Sequence, residues 1–155
     1  MPLIDEGKKA PAFALQDQEG KTHRLSDYAG RPVVLYFYPK DDTPGCTAEA
    51  CGFRDAQPDL SKAGALVLGV SILDTKSKAK FAGKHGLNFP LLADPDHEVA
   101  EAYGAWQQRR LYGRTFMGVA RITYLIGPDG RVQRRWDKVS PAGHAADVLD
   151  VLKGG

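Results

Sequence analysis

The sequence has no apolar run approaching the roughly 20 residues that a bilayer-spanning helix needs. It has no excess of one charge either. Lys and Arg number 21 against 19 Asp and Glu, a net of +2, too small to point to nucleic acid or an anionic membrane as partner. Cysteine is nearly absent: two residues are too few for a secreted disulfide scaffold. There is no Cys-x-x-Cys, which disfavours disulfide exchange. No histidine stands at zinc-finger spacing from a cysteine, so no metal centre is expected. His23, His85, His97 and His144 are scattered and read as surface or structural residues. Repeats, low-complexity tracts and linkers are missing too, and 155 residues suffice for one domain, 1–155, with its own core. Met1-Pro-Leu-Ile-Asp-Glu-Gly-Lys-Lys9 lacks the order of a secretory leader, and the expected location is the cytoplasm.

Against this background one segment stands out. Pro39-Lys-Asp-Asp-Thr-Pro-Gly-Cys46-Thr-Ala-Glu-Ala-Cys51 contains both cysteines and directly follows Val33-Val-Leu-Tyr-Phe-Tyr38, which reads as a buried strand. Thr43 followed by Pro44 is a helix-start signature, a capping hydroxyl and then proline at the first helical position. Cys46 therefore falls in the first turn, near N3. There the free backbone N–H groups and the positive end of the helix dipole favour a thiolate.

The remaining pattern alternates strands and helices. Phe13–Leu15 and His23–Leu25 form a candidate hairpin, and Ser26 is expected to cap a short turn ending at Gly30. A helix is expected from Thr43 to Ala63, with Cys46, Ala50, Phe53, Ala56, Leu60 and Ala63 at helical spacing, then a buried strand at 65–71. Further helices are expected at 77–85, at 96–103 and from Ser140-Pro141 onward, with a short extended piece at 89–92. Residues 104–120, Gly- and Arg-rich, read as a long solvated loop. Arg121–Ile126 and Arg131–Trp136 flank Gly127-Pro-Asp-Gly130 as a hairpin. This order predicts an α/β fold, a thioredoxin-like core with a central mixed sheet flanked by helices and an N-terminal β extension. Cys46 then lies at the carboxyl end of a central strand, where open α/β sheets place their sites.

Cys46 and Cys51 are five residues apart. On one regular helix they are offset by about 140° and about 7.5 Å along the axis, which separates their Cα atoms by roughly 8.7 Å. A disulfide tolerates no more than ~7 Å, so any bond between them requires part of the helix to unwind. With disulfide exchange and cysteine-protease contexts lacking, a peroxide is the natural remaining electrophile. Thiolate attack gives a sulfenic acid, which a neighbouring thiol converts to a disulfide. A redox sensor or binding module that uses oxidation-driven unwinding, or a thioredoxin-like disulfide oxidoreductase, are the alternatives the residues leave open.

Pro39-x-x-x-Thr43-x-x-Cys46 resembles the active-site motif of peroxiredoxins. The longer run Thr43-Pro-Gly-Cys46-Thr-Ala-Glu-Ala-Cys51 resembles the Q-type, or bacterioferritin comigratory protein, subfamily. Leu68-Gly-Val-Ser71, Asn88–Asp94, Tyr103-Gly-Ala-Trp106 and Arg121–Ile126 extend the resemblance in the right order over nearly the whole chain. The resemblance implies a thiol-dependent peroxidase for hydrogen peroxide and small organic hydroperoxides. Cys46 would be the attacking sulfur and Cys51 the resolving one. Thr43 would hydrogen-bond the thiolate or the peroxide, and Pro39 would shield the sulfur. Arg121 would supply charge and fixed donors to the peroxide oxygens, and Glu49 would orient an arginine. It further implies recycling by a thioredoxin-like reductant, no metal, haem or nucleotide cofactor, no nucleic-acid or membrane partner, and a tendency toward monomers.

Overall fold

The structure is a computed structural model and describes residues 2–154. The strands are β1 (Ala14–Gln16), β2 (Thr22–Arg24), β3 (Val33–Phe37), β4 (Leu66–Ser71), β5 (Leu91–Ala93), β6 (Trp106–Leu111), β7 (Arg114–Val119), β8 (Ile122–Ile126) and β9 (Val132–Trp136). The helices are α1 (Pro44–Lys62), α2 (Thr75–His85), α3 (Glu98–Ala102) and α4 (His144–Leu152). Seven strands form one sheet in the order β2-β1-β5-β4-β3-β8-β9. β3, β4 and β5 run parallel, and the flanking pairs are antiparallel. This is the mixed sheet with an N-terminal hairpin that the element order predicts.

The central strand explains its own uniform apolarity. Every residue of β3 is buried, because both faces of the sheet are covered. Val34, Tyr36 and Tyr38 point to the face packed by α1, α2 and α4, with Phe53, Leu60, Phe81, Ala145 and Val148. Val33, Leu35 and Phe37 point to the face lined by Val99, Ala100, Tyr103 and the N-terminal Ala10 and Phe13. Tyr36 fits because its parallel neighbour is Gly69, where a Cβ would stand 2.8 Å from the tyrosine ring.

α1 starts where Thr43-Pro44 predicts and ends before Gly64. Pro58 lies inside it and cannot donate to the carbonyl of Arg54. That carbonyl instead accepts from Asn88 Nδ2 at 3.3 Å, so the helix passes Pro58 without an orphaned acceptor.

Several boundaries differ from expectation. α2 begins at Thr75 rather than at Ser77, because the Asp74 carboxylate caps it by accepting the Ser77 N–H at 2.9 Å. The short turn after β2 is a 3-10 turn over Leu25–Tyr28 in which Ser26 is not the cap; Asp27 reaches back to accept from the Arg24 N–H at 3.1 Å. α3 begins at Glu98 because the carboxylate of Asp94, not Asp96, accepts the N–H groups of Val99 and Ala100 at 3.3 and 2.8 Å. α4 begins at His144 after a turn over Ser140–Gly143.

The larger correction concerns residues 104–120. They are not a loop. β6 and β7 form a separate antiparallel hairpin from Trp106↔Val119 to Leu111↔Arg114, turned by Tyr112 and Gly113 at φ +52° and +75°. Two central residues at positive φ match a tight two-residue hairpin turn. Both faces are largely exposed, so the alternating apolar pattern that marks a half-buried strand never arises.

Candidate functional site

β3 hands its chain to the loop Pro39–Thr43, and α1 begins at the next residue. Two consecutive aspartates tie this loop to α2. Asp42 stands at φ +58°, a conformation that aspartate tolerates better than most residues. Its carboxylate accepts from Lys84 Nζ at 2.8 Å and pairs with His85 Nε2 at 3.0 Å. Asp41 is buried. It accepts from the Tyr38 hydroxyl at 2.5 Å and from Ser77 Oγ at 2.7 Å, and Lys78 Nζ lies 3.4 Å away. Lys78, itself fully buried, also donates to Ser71 Oγ at 2.5 Å and to Tyr38 at 3.2 Å. Burial pulls the lysine down to about 8, against the upward pull of Asp41.

At the start of α1, Pro44, Gly45 and Cys46 occupy N1, N2 and N3. Pro44 has no N–H to satisfy. The Thr43 side chain does not cap the helix; its hydroxyl donates to the Lys40 carbonyl at 3.1 Å. The first-turn N–H groups of Gly45 and Cys46 therefore lack a capping side chain. They are donors suited to a negatively charged sulfur or oxygen.

Cys46 is buried, with 2% of its surface exposed. Arg121, in the residue before β8, donates from Nη2 to Cys46 Sγ at 3.3 Å and from Nη1 to Glu49 Oε1 at 2.7 Å. One planar fork thus bridges the sulfur at N3 and a carboxylate one turn further along the same helix. Glu49 is buried at 1% exposure, and Oε2 has no hydrogen-bond partner. Burial pushes this carboxyl up to about 7 although Arg121 pulls it down. Desolvation outweighs a short ion pair here because the carboxyl is almost wholly removed from water and only one of its oxygens is paired. Tyr36, beneath them, also has a buried hydroxyl without a partner. Burial, then Glu49 and Cys46, raise it well above the ordinary phenol range.

Gly45 makes the Arg121 geometry possible. A Cβ there would stand 3.1 Å from Nη2. Cys51 lies half-buried on α1, and both sulfurs are free. The unbroken helix between them keeps them apart, as the spacing predicts.

Of the residues singled out in the sequence, Cys46, Glu49 and Arg121 meet directly. Thr43 and Pro39 sit on the loop that delivers α1, and the Thr43 hydroxyl turns toward its own loop rather than the sulfur. Because that hydroxyl already donates, its oxygen is placed to accept a hydrogen bond. None of the four histidines bonds to a sulfur: His23 pairs with Asp17, His85 with Asp42 and His144 with Thr123, while His97 stacks on Trp106 at 4.0 Å. Sequence reasoning missed Gly45 and the Lys78–Asp41 pair; Tyr36, read there as part of the buried strand, lies beside Glu49 and Cys46. A signal for Lys78 existed: it shares a helical face with the buried Phe81 and Ala82, three and four residues on.

Residues 6–135 match the AhpC/TSA family. The chain is 45% identical over 150 residues to peroxiredoxin Bcp of Bacillus subtilis, covering 97% of this chain and 96% of that protein. It is 44% identical over 153 residues to peroxiredoxin Bcp of Escherichia coli, covering 99% and 98%. Among solved structures, the bacterioferritin comigratory protein of Xanthomonas campestris, studied for alkyl peroxide reduction, superposes with a TM-score of 0.90 at 40% identity. That match covers 97% of this chain and 98% of that one. A Cys-to-Ser mutant of Xylella fastidiosa PrxQ superposes at 0.93 with 35% identity, covering 99% and 98%.

Proposed function

The chain belongs to the AhpC/TSA family and is a thiol-dependent peroxidase of the Bcp/PrxQ type, and on that premise we propose how its own residues divide the reaction. Cys46, as thiolate, attacks the terminal oxygen of a hydroperoxide. The O–O bond breaks, the sulfur keeps one oxygen as sulfenic acid, and the other leaves as alkoxide or hydroxide that takes up a proton. The observation that carries the assignment is the Arg121 fork, which holds a fixed positive charge 3.3 Å from Cys46 Sγ. Its donors are preorganised for charge that develops on the peroxide oxygens. The Thr43 oxygen accepts the hydrogen bond of the peroxide O–H, Pro39 limits water at the sulfur, and Glu49 fixes the plane of the guanidinium.

Cys51 then resolves the sulfenic acid. Its thiol condenses with Cys46–SOH, water leaves, and an intramolecular disulfide remains. This step requires the first two turns of α1 to unwind, which releases both bonds of Arg121. A thioredoxin-like dithiol reduces the disulfide and is itself oxidised in exchange. We read the chain as one domain that works as a monomer in the cytoplasm on hydrogen peroxide and small organic hydroperoxides.

Peptide mass spectrometry of the reduced protein after one equivalent of hydrogen peroxide tests the scheme. The expected product has lost two hydrogens and carries a Cys46–Cys51 crosslink. Cys51→Ser is expected to stop at the sulfenic acid and to lose thioredoxin-supported cycling. Normal cycling of that variant sinks the resolving role.

A further inference from the structure

All four exposed large hydrophobic residues among the described residues sit on one element, the β6–β7 hairpin: Leu111 (55% exposed), Tyr112 (94%), Phe116 (46%) and Met117 (51%). The same hairpin carries Arg109, Arg110 and Arg114. Residues 104–120 hold no carboxylate, and none of the three arginines has an acidic partner among the ion pairs of the described residues. Three positive charges on this arm exceed the +2 of the whole chain. The balanced total therefore conceals a concentrated cationic, apolar projection, and the expectation drawn from net charge does not reach this element.

The register shows how these groups are disposed. Leu111 and Phe116 share one face with Arg109 and Arg114, whereas Met117 shares the other with Arg110 and Thr115. Tyr112 caps the tip. A rigid protein partner is served by one apolar face; an arm that presents apolar groups on both faces and at its tip suits a fluid medium that wets it on every side. Gln108, Arg109, Arg110 and Thr115 line a shallow depression of about 250 Å³. Arg109 already gives Nη1 to the Val119 carbonyl at 3.1 Å; its remaining N–H groups and the side chains of Gln108, Arg110 and Thr115 offer donors suited to a phosphate. Tyrosine favours the boundary between hydrocarbon and water, and arginine stems can lie along apolar surface while their heads stay with phosphate. No helix among the described residues is long and apolar enough to cross a membrane, so any such contact is peripheral.

We propose that the β6–β7 hairpin docks this protein onto the surface of an anionic phospholipid bilayer, with Tyr112, Leu111, Phe116 and Met117 entering the interface and Arg109, Arg110 and Arg114 holding lipid phosphates. β7 leads through Val119 and Ala120 to Arg121, so the arm is rooted two residues from the guanidinium that touches Cys46. Resting on the peroxidase reading, this docking brings acyl hydroperoxides of that surface near the reactive sulfur.

Co-sedimentation with unilamellar vesicles tests the docking separately from catalysis. Vesicles of phosphatidylcholine containing about one-third phosphatidylglycerol are expected to bind the protein, pure phosphatidylcholine vesicles are not, and high salt is expected to release it. Arg110→Ala or Arg114→Ala is expected to weaken binding roughly fivefold each, and Tyr112→Ser with Met117→Ser further. Turnover of soluble hydrogen peroxide should stay unchanged in all of them, since these exposed side chains lie outside the site. No binding to the anionic vesicles overturns the proposal. So does equal binding to both vesicle types, or wild-type binding by the variants. A concentration-dependent dimer in the absence of lipid that Tyr112→Ser dissolves also overturns it, because a second copy would then be the occupant.

Discussion

Replacing Arg121 by methionine separates the catalytic role proposed for the fork from its part in stability. The carboxyl of Glu49 stands near 7 in the folded protein against 4.5 for an ordinary glutamate. A group with a raised folded value favours folding most below its unfolded value, and that contribution disappears as pH climbs through the folded one. In the native protein the loss is therefore complete somewhat above pH 7. Without Arg121 the bare carboxylate is worth avoiding at 3–5 kcal/mol, roughly the cost of an uncompensated buried charge. Glu49 escapes by holding its proton, so the loss continues above pH 7 at about 1.4 kcal/mol for each further pH unit. At pH 6, where Glu49 is mostly protonated in either protein, the substitution is expected to cost about 1 kcal/mol, the scale of the lost hydrogen bond. At pH 9 the cost grows by about 3 kcal/mol. Urea unfolding of variant and native protein side by side cancels the other titrating groups. Adding Glu49→Gln should remove the pH-dependent part, while peroxide consumption remains down about 100- to 1,000-fold in both variants, the scale for losing a preorganised donor. Equal destabilisation at pH 6 and pH 9, or recovery of activity in the double variant, would refute the reasoning.

Gly45→Ala places a Cβ 3.1 Å from Arg121 Nη2; the guanidinium is expected to shift, slowing Cys46 oxidation roughly tenfold with thermal stability unchanged or raised, since alanine suits a helix better than glycine. Lys78→Met leaves Asp41 buried without its cation and is expected to cost 3–5 kcal/mol in urea unfolding at neutral pH, on the scale of broken buried pairs, with partial recovery on adding Asp41→Asn. His144 is buried between the Phe53 and Trp136 rings and held down to about 4 by desolvation. Its neutral form is favoured in the fold, so native stability should fall by about 3 kcal/mol between pH 6.5 and 4, a slope that His144→Phe should flatten in acid titrations followed by circular dichroism.

The run Pro39–Cys51 was legible in the sequence because its signals are local. An apolar strand and a proline at N1 place Cys46 in a first turn through backbone rules alone, although the Thr43 hydroxyl, expected to cap the helix, turns to the Lys40 carbonyl instead; the five-residue spacing alone keeps Cys51 out of disulfide reach. The strand–helix alternation likewise announced the mixed sheet. Arg121 and Glu49 were named from a resemblance, 72 residues apart; only the pairing of β8 against β3 brings that guanidinium over the start of α1. The β6–β7 hairpin escaped because its strands bury neither face, so no periodicity records them. The charge state of the site was beyond the sequence altogether. Lys78 near 8 and Glu49 near 7 owe their values to burial, and burial belongs to the packed molecule rather than to any stretch of chain. Local backbone chemistry thus determined where the sulfur stands, and tertiary packing decided which charges surround it.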